Sequence, residues 1–300
     1  MSANVSNLLS GHPTSFRRPM LSPNLASVTE LRNEDRDEAL AFLAVRPVHT
    51  VVMSSFIIDN GVESERNRGR FFAYRNDEGR IEGIALIGHA TLVEARTARS
   101  MTALAFAAQH SETPISLVMS SGSDAELFWT DMTGGSRQPR VTCNELLFEL
   151  SFPMPVVASD PAVRLATIDL LEQVAEAQAD IAVLESGVNP LERDREGFLA
   201  RVARRIEQGR VFVVEREGKL MFKADVIAEA SGVFYLEGVY AAPEARGAGF
   251  ASACLAEVGS RLLEQGEKVC LLSNIEFDEA HRCFRRAGFR STGSCVTLFM

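Results

Sequence analysis

Two features of this sequence have residue types and spacing suited to chemistry. The first is the stretch Pro243-Glu244-Ala245-Arg246-Gly247-Ala248-Gly249-Phe250-Ala251. Glycine lets a backbone approach a ligand closely, and the first N–H groups of a helix have no partner inside it. A glycine loop that runs into a helix N-terminus is therefore a site for phosphate or pyrophosphate, reinforced by the helix dipole. The second is Glu237, the only carboxylate within the apolar run Val233-Phe234-Tyr235-Leu236-Glu237-Gly238-Val239-Tyr240. Apolar surroundings raise a carboxylate's pKa and make it a better proton acceptor near neutrality. A solvent-facing or ion-paired Glu237 is the plainer alternative.

Both features need a strand and a helix to hold them. The run before the loop is rich in β-branched and aromatic residues and reads as a strand. After it, Ala251, Cys254, Leu255, Val258 and Leu262 fall on one face of a helix. The loop lacks the Gly-x-x-x-x-Gly-Lys-Ser/Thr of a nucleoside-triphosphate loop. A dinucleotide fingerprint would place a third glycine where Ser252 stands, and nearer the start of a βαβ unit.

The stretch resembles the GNAT superfamily of N-acetyltransferases. Their acyl-CoA loop, Gln/Arg-x-x-Gly-x-Gly/Ala, is matched by Arg246-Gly247-Ala248-Gly249-Phe250-Ala251, and the preceding Gly-Val-Tyr and Pro-Glu also match, over some thirty residues. The resemblance implies an α/β (α+β) fold with a mixed, mostly antiparallel sheet flanked by helices. It implies acetyl-CoA as cosubstrate and no metal. Backbone N–H groups of Gly247, Ala248, Gly249, Phe250, Ala251 and Ser252, with Arg246, would hold the pyrophosphate, and Val239, Tyr240 and Ala241 the pantetheine. A splay in that strand would free an N–H for the thioester oxygen, and Glu237 would relay the proton, through water in several members. Asn274 and Gly288-Phe289 also match the family pattern, and the resemblance places Asn274 and Phe284 among the cofactor-binding residues. The tyrosine that would protonate the leaving thiolate is replaced by Phe284, in Cys283-Phe284-Arg285-Arg286-Ala287-Gly288-Phe289. Ser273, Cys283 and Tyr240 are substitute donors, each with a bland packing role as the alternative. The implied activity is acetyl transfer to a primary amine, on a small molecule or a protein, by direct attack in a ternary complex. The alternative is a non-catalytic acyl-CoA-binding or regulatory module, suggested by Phe284. His281 reads as a surface or capping residue, and Arg201, Arg204 and Arg205 as the wet face of a helix whose dry face is Phe198, Val202 and Ile206.

The chain reads as a duplication. Helices are expected at 33–45 and, with a strand as the alternative, at 50–58, strands at 70–75, 80–88, 91–95 and 115–119, helices at 98–108 and 124–131, and a last strand at 143–152. The second half repeats this order. Arg70-Phe71-Phe72-Ala73-Tyr74 with Glu78-Gly79-Arg80-Ile81 parallels Arg210-Val211-Phe212-Val213-Val214 with Glu217-Gly218-Lys219-Leu220. We read an extension at 1–26, a degenerate GNAT-like domain at 27–152, a proline-marked linker at 153–161 and a GNAT domain at 162–300. The first domain has Glu94-Ala95-Arg96-Thr97-Ala98-Arg99 where the glycine loop should be, which argues against CoA there; Arg96 and Arg99 read as a solvated pair.

Composition agrees. Three hundred residues suit two domains. The net charge of −9, with the acid excess in both globular halves, argues against a nucleic-acid partner. Five scattered cysteines without a CxxC pair suit a reducing, cytoplasmic setting. No apolar run is long enough for a membrane span. A monomer or a homodimer is expected.

Overall fold

A computed structural model describes residues 27–153 and 162–300. The expected extension and nearly all of the expected linker lie outside the described residues. The first half contains β1 (Val28–Glu30), α1 (Arg36–Leu43), α2 (Pro47–Asn60), β2 (Gly69–Arg75), β3 (Ile81–Gly88), β4 (Ala90–Ala95), α3 (Ala98–Gln109), β5 (Leu117–Ser121), α4 (Asp124–Thr133) and β6 (Val141–Leu150). The second contains β7 (Arg164–Leu165), α5 (Leu171–Ser186), α6 (Pro190–Arg193), α7 (Arg195–Glu207), β8 (Val211–Arg216), β9 (Lys219–Ala230), β10 (Val233–Ala241), α8 (Phe250–Leu263), β11 (Lys268–Asn274), α9 (Asp278–Arg286) and β12 (Arg290–Phe299). Apart from the one-turn α6, the halves repeat the same order. The β8–β9 hairpin turns at Glu217 (φ 51°) and Gly218 (φ 76°), the paired positive φ values of a type I′ turn.

The two half-sheets are continuous. One sheet of 12 strands runs in the order β1-β2-β3-β4-β5-β12-β6-β11-β10-β9-β8-β7. It is mixed, with β4·β5 and β10·β11 the parallel pairs. The last strand of each half crosses into the other. β12 pairs with β5 from Phe299↔Leu117 to Cys295↔Ser121, and β6 pairs with β11 from Val269↔Leu150 to Asn274↔Glu145. The two exchanged strands also pair with each other.

Register puts α1, α2, α5 and α7 on one face and α3, α4, α8 and α9 on the other. Helices α8 and α9 cover Phe148, Phe222, Leu236 and Leu271, while α3 and α4 cover Val118, Val296 and Leu298. Helix α2 belongs to the first half but also seats Val51 on Ala228, Val233, Tyr235 and Leu147 of the second-half sheet. A bidentate ion pair fixes it there: Arg210 Nη1 and Nη2 lie 2.5 and 3.0 Å from Asp59. No helix among the described residues is long and apolar enough to cross a membrane.

Phe148 is fully buried on an exchanged strand and stacks edge-on against Phe284, centroids 5.4 Å apart. Phe148→Ala should cost about 3–5 kcal/mol in urea unfolding. Residues 162–300 expressed alone lack β6 and should aggregate, whereas co-expression with 1–153 should restore one cooperative melt. A monomeric, cooperatively folded 162–300 fragment would contradict the exchanged topology.

Candidate functional site

β10 pairs with its two neighbours over different lengths. Pairing with β11 ends at Leu236↔Leu271, whereas pairing with β9 continues to Ala241↔Phe222. Between Glu237 and Tyr240 the β9 register slips by a residue, a bulge centred on Gly238 at φ 61°. Beyond Leu236 the parallel strands therefore splay apart.

A cleft of about 1080 Å³ opens at this splay. Val239, Tyr240, Ala241, Arg246, Gly247, Gly249, Phe250, Ala251, Ser252 and Phe284 line it. Ala248 is exposed at the loop tip. Asn274 is engaged elsewhere: its Oδ1 accepts from Glu276 N–H at 2.9 Å and its Nδ2 contacts Cys143 Sγ at 3.4 Å. Helix α8 starts at Gly249, φ 81°, after Gly247, φ 90°, with no side-chain cap and no acid in its first turn. Its leading N–H groups are thus left for an external acceptor. Ser252 Oγ donates to Gly249 O at 2.7 Å, and Arg246 Nε to Ala241 O at 3.0 Å, pinning the loop from both ends. The Arg216 guanidinium lies 4.7 Å over the Phe250 ring.

The matching place in the first half is built to the opposite effect. Thr97 caps α3, accepting from Ser100 N–H at 3.1 Å, while Ser100 Oγ accepts from Thr97 N–H at 3.2 Å. That capping box uses the donors α8 leaves open. Buried Glu94 is clamped by Arg46 at 3.1 Å and Arg96 at 3.0 Å. Arg96 is exposed, as the sequence suggested, but it is also engaged, covering the Phe42 ring at 4.7 Å.

On the α2/α5 face of the sheet, across the splay from α8, lies a group of carboxylates. Glu237 shares this face with its cross-strand partner Asp225. Near it are Glu145, from the exchanged β6, and Glu185, near the end of α5. Glu185 and Glu237 are both exposed to solvent but stand among neighbouring protein groups that partly desolvate their carboxyls. That desolvation pushes the Glu237 carboxyl upward, opposed by the Arg205 cation and a Tyr235 hydrogen bond. Glu145 is pushed up to about 7 by burial, and the Glu237 charge adds to this against a 2.7 Å bond from Thr297 Oγ1. Glu185 is pushed up to about 7 by burial, then by Glu237 and Glu145. Sequence reasoning missed both neighbours: Glu145 belongs by sequence to the other half, and Glu185 carries no distinguishing pattern. No group of three His, Cys, Asp or Glu among the described residues is arranged to hold a metal ion.

Beneath Glu237, Lys223 and Asp225 point inward from β9. Lys223 is fully buried and Asp225 nearly so, with Nζ 2.9 Å from Asp225 Oδ1. Arg205 Nη1 reaches Asp225 Oδ2 at 3.1 Å, and Arg204 reaches Asn60 Oδ1 at 3.1 Å. These two arginines are therefore docked, not the wet face expected from sequence. Their signal was present, since Lys223 and Asp225 alternate with Phe222, Ala224 and Val226 in a strand covered on both faces.

Phe284 is buried against Phe148 and brings no proton to the cleft. Cys283 and Tyr240 both line the cleft, whereas Ser273 is buried in β11. Burial pushes the Cys283 thiol up to about 11, so it keeps its proton at neutral pH. His281 is buried, contrary to the surface reading. Its Nε2 donates to Asn274 O at 3.0 Å and its ring packs on Phe148.

No family model and no curated protein sequence matches this chain. Solved structures do match its fold. A GNAT-family acetyltransferase from Colwellia psychrerythraea superposes with a TM-score of 0.58 at 12% identity, covering 91% of this chain and 99% of that one. A GCN5-related N-acetyltransferase from Sphaerobacter thermophilus gives 0.58 at 14% identity, over 90% and 93%. A tandem GNAT protein from the clavulanic acid biosynthesis pathway gives 0.56 at 13% identity, over 91% and 98%. At these identities the likeness is one of fold: this chain has the tandem GNAT fold.

The raised carboxylates carry a pH signature. Glu145 holds its proton up to about pH 7 when folded but loses it near 4.5 when unfolded, so stability falls as pH rises between those values. Glu145→Gln, which can still accept from Thr297, should raise the melting temperature at pH 8 and leave it nearly unchanged at pH 5.

Proposed function

We propose that this protein is an acyl-CoA-dependent N-acetyltransferase that moves acetyl from acetyl-CoA to a primary amine by direct attack in a ternary complex. The observation that carries this reading is the uncapped glycine start of α8 beside the β10–β11 splay, with the Glu237 carboxylate on the far side. In this reading residues 162–300 form the catalytic domain and 27–152 a degenerate one that binds no CoA.

The residues divide the work between the two faces. Backbone N–H groups of Gly247 to Ser252, with the α8 dipole, suit the pyrophosphate of CoA. Val239, Tyr240 and Ala241 border the path to the splay. The bound thioester supplies the acyl carbon and a thiolate leaving group. On the α2/α5 face, Glu145, Glu185 and Glu237 create a negative recess that favours a cationic ammonium group. Glu237, directly or through water, takes a proton from that ammonium. The C–N bond then forms and the C–S bond breaks. The second amine proton leaves to solvent, and the thiolate takes up a proton from solvent, since Cys283, pushed up to about 11, holds its own proton too tightly to give it to a thiolate of lower pKa. With a thiol pKa of about 8.5, unassisted departure is tolerable near neutral pH, so Phe284 does not forbid turnover.

Phe284 does favour a second reading, a non-catalytic acyl-CoA-binding module. Calorimetry with acetyl-CoA, run beside a CoA-release assay over a panel of amines, separates the two. Binding with turnover of at least one amine is expected; binding without turnover of any would favour the module.

Gly249→Glu should abolish acetyl-CoA binding. It forces a side chain into left-handed backbone, at about 1–2 kcal/mol, and sets a carboxylate against the pyrophosphate. Unchanged affinity would refute the loop assignment. Glu237→Gln should lower kcat by about 10²–10⁴ below pH 7 and less at pH 9, where free amine is plentiful. Its acetyl-CoA affinity should be unaffected; unimpaired turnover at low pH would make Glu237 structural.

A further inference from the structure

Lys223 is the least expected residue near the site. A buried ammonium is costly unless its donors are satisfied. Lys223 Nζ donates to Gln178 Oε1 of α5 at 2.8 Å and to Gly238 O at 2.9 Å, and its charge is paired with Asp225 Oδ1 at 2.9 Å, a contact without hydrogen-bond geometry. Asp225 is in turn held by Arg205 at 3.1 Å. A lysine so engaged is not free to bind a ligand. Its grip on Gly238 explains the network.

Gly238 is the bulge residue, and its carbonyl is drawn out of the ladder toward Lys223. A Cβ there would sit 2.2 Å from Gln178 Oε1 and 2.5 Å from Lys223 Nζ, so any larger residue would push those two side-chain ends aside, Lys223 Nζ off the Gly238 carbonyl. The peptide bond joining Gly238 to Val239 is trans, so its C=O and N–H point in opposite directions. Pulling the carbonyl toward the α5 face turns the Val239 N–H the other way, into the splay, where Val239 lines the cleft. That N–H has no β11 partner, because pairing stops at Leu236↔Leu271.

We propose that Lys223, braced by Gln178 and Asp225, is a positioning residue that aims the Val239 N–H at the acyl carbonyl oxygen of a CoA thioester bound in the cleft. The proposal rests on the acyl-CoA reading above. It assigns Lys223 no contact with either substrate. A preorganised donor of this kind is worth about 10²–10³ in kcat, because its orientation is fixed before the reaction begins.

The test is isotope-edited infrared spectroscopy of acetyl-CoA labelled with ¹³C at the acetyl carbonyl, with no acceptor present. On binding to the wild-type protein the carbonyl band should move to lower wavenumber, as a hydrogen bond requires. In Lys223→Met the bound band should return toward its position in free solution, while calorimetric affinity for acetyl-CoA stays close to wild type. The double variant Lys223→Met/Asp225→Asn removes both charges together, and it is read in the same way if the single variant does not fold. A folded variant that binds acetyl-CoA and keeps the wild-type band overturns the proposal. Failure of the wild-type protein to bind acetyl-CoA is a different result, with no bound band at all, and overturns the acyl-CoA reading together with this one.

Discussion

A strand edge is a row of backbone donors and acceptors that must find partners, and two such rows decide this structure. The outer edges of β5 and β11 are each closed by a strand from the opposite half: β12 beside β5, β6 beside β11. Backbone pairing therefore joins the halves more tightly than a side-chain interface would. The join also brings α2 over the second-half sheet and carries Glu145 into the recess around Glu237. The acceptor side of the proposed site thus belongs to both halves, although its glycine loop belongs to one.

The halves share one order of elements and treat the same helix terminus in opposite ways. At α8, glycines at positive φ leave the leading amides bare; at α3, Thr97 and Ser100 consume them. Beside the first-half terminus the Arg46–Glu94–Arg96 cluster fills the position corresponding to the second-half bulge. Likeness of fold therefore does not make the two helix termini alike, because what a terminus can bind depends on which of its backbone groups remain unsatisfied.

Much of this was legible in the sequence. Glycine loops, β-branched runs and helical spacing are local signals, and they located the strand–loop–helix around Gly249 and the repeated order of elements. The strand exchange was not legible, because the alternation in β6 and β12 is the same whichever sheet receives them. The recess of carboxylates was missed for the same reason: Glu145 stands ninety-odd residues from Glu237 in sequence and reaches it only through the exchange. Arg205 and His281 were misjudged because a charged or polar residue on an amphipathic helix reads as exposed unless its buried partner is known. Asp225 and the Asn274 carbonyl are those partners.

The exchange also bears on how the chain is made. A ribosome releases β5 and β6 long before residues 290–299 exist, so the sheet of the first half cannot close during its own synthesis. Its β5 edge stays open until β12 emerges, and β6 must meanwhile wait for β11. Nascent chains of this protein therefore expose adhesive β edges for most of translation, a state in which holdase chaperones have the most to protect.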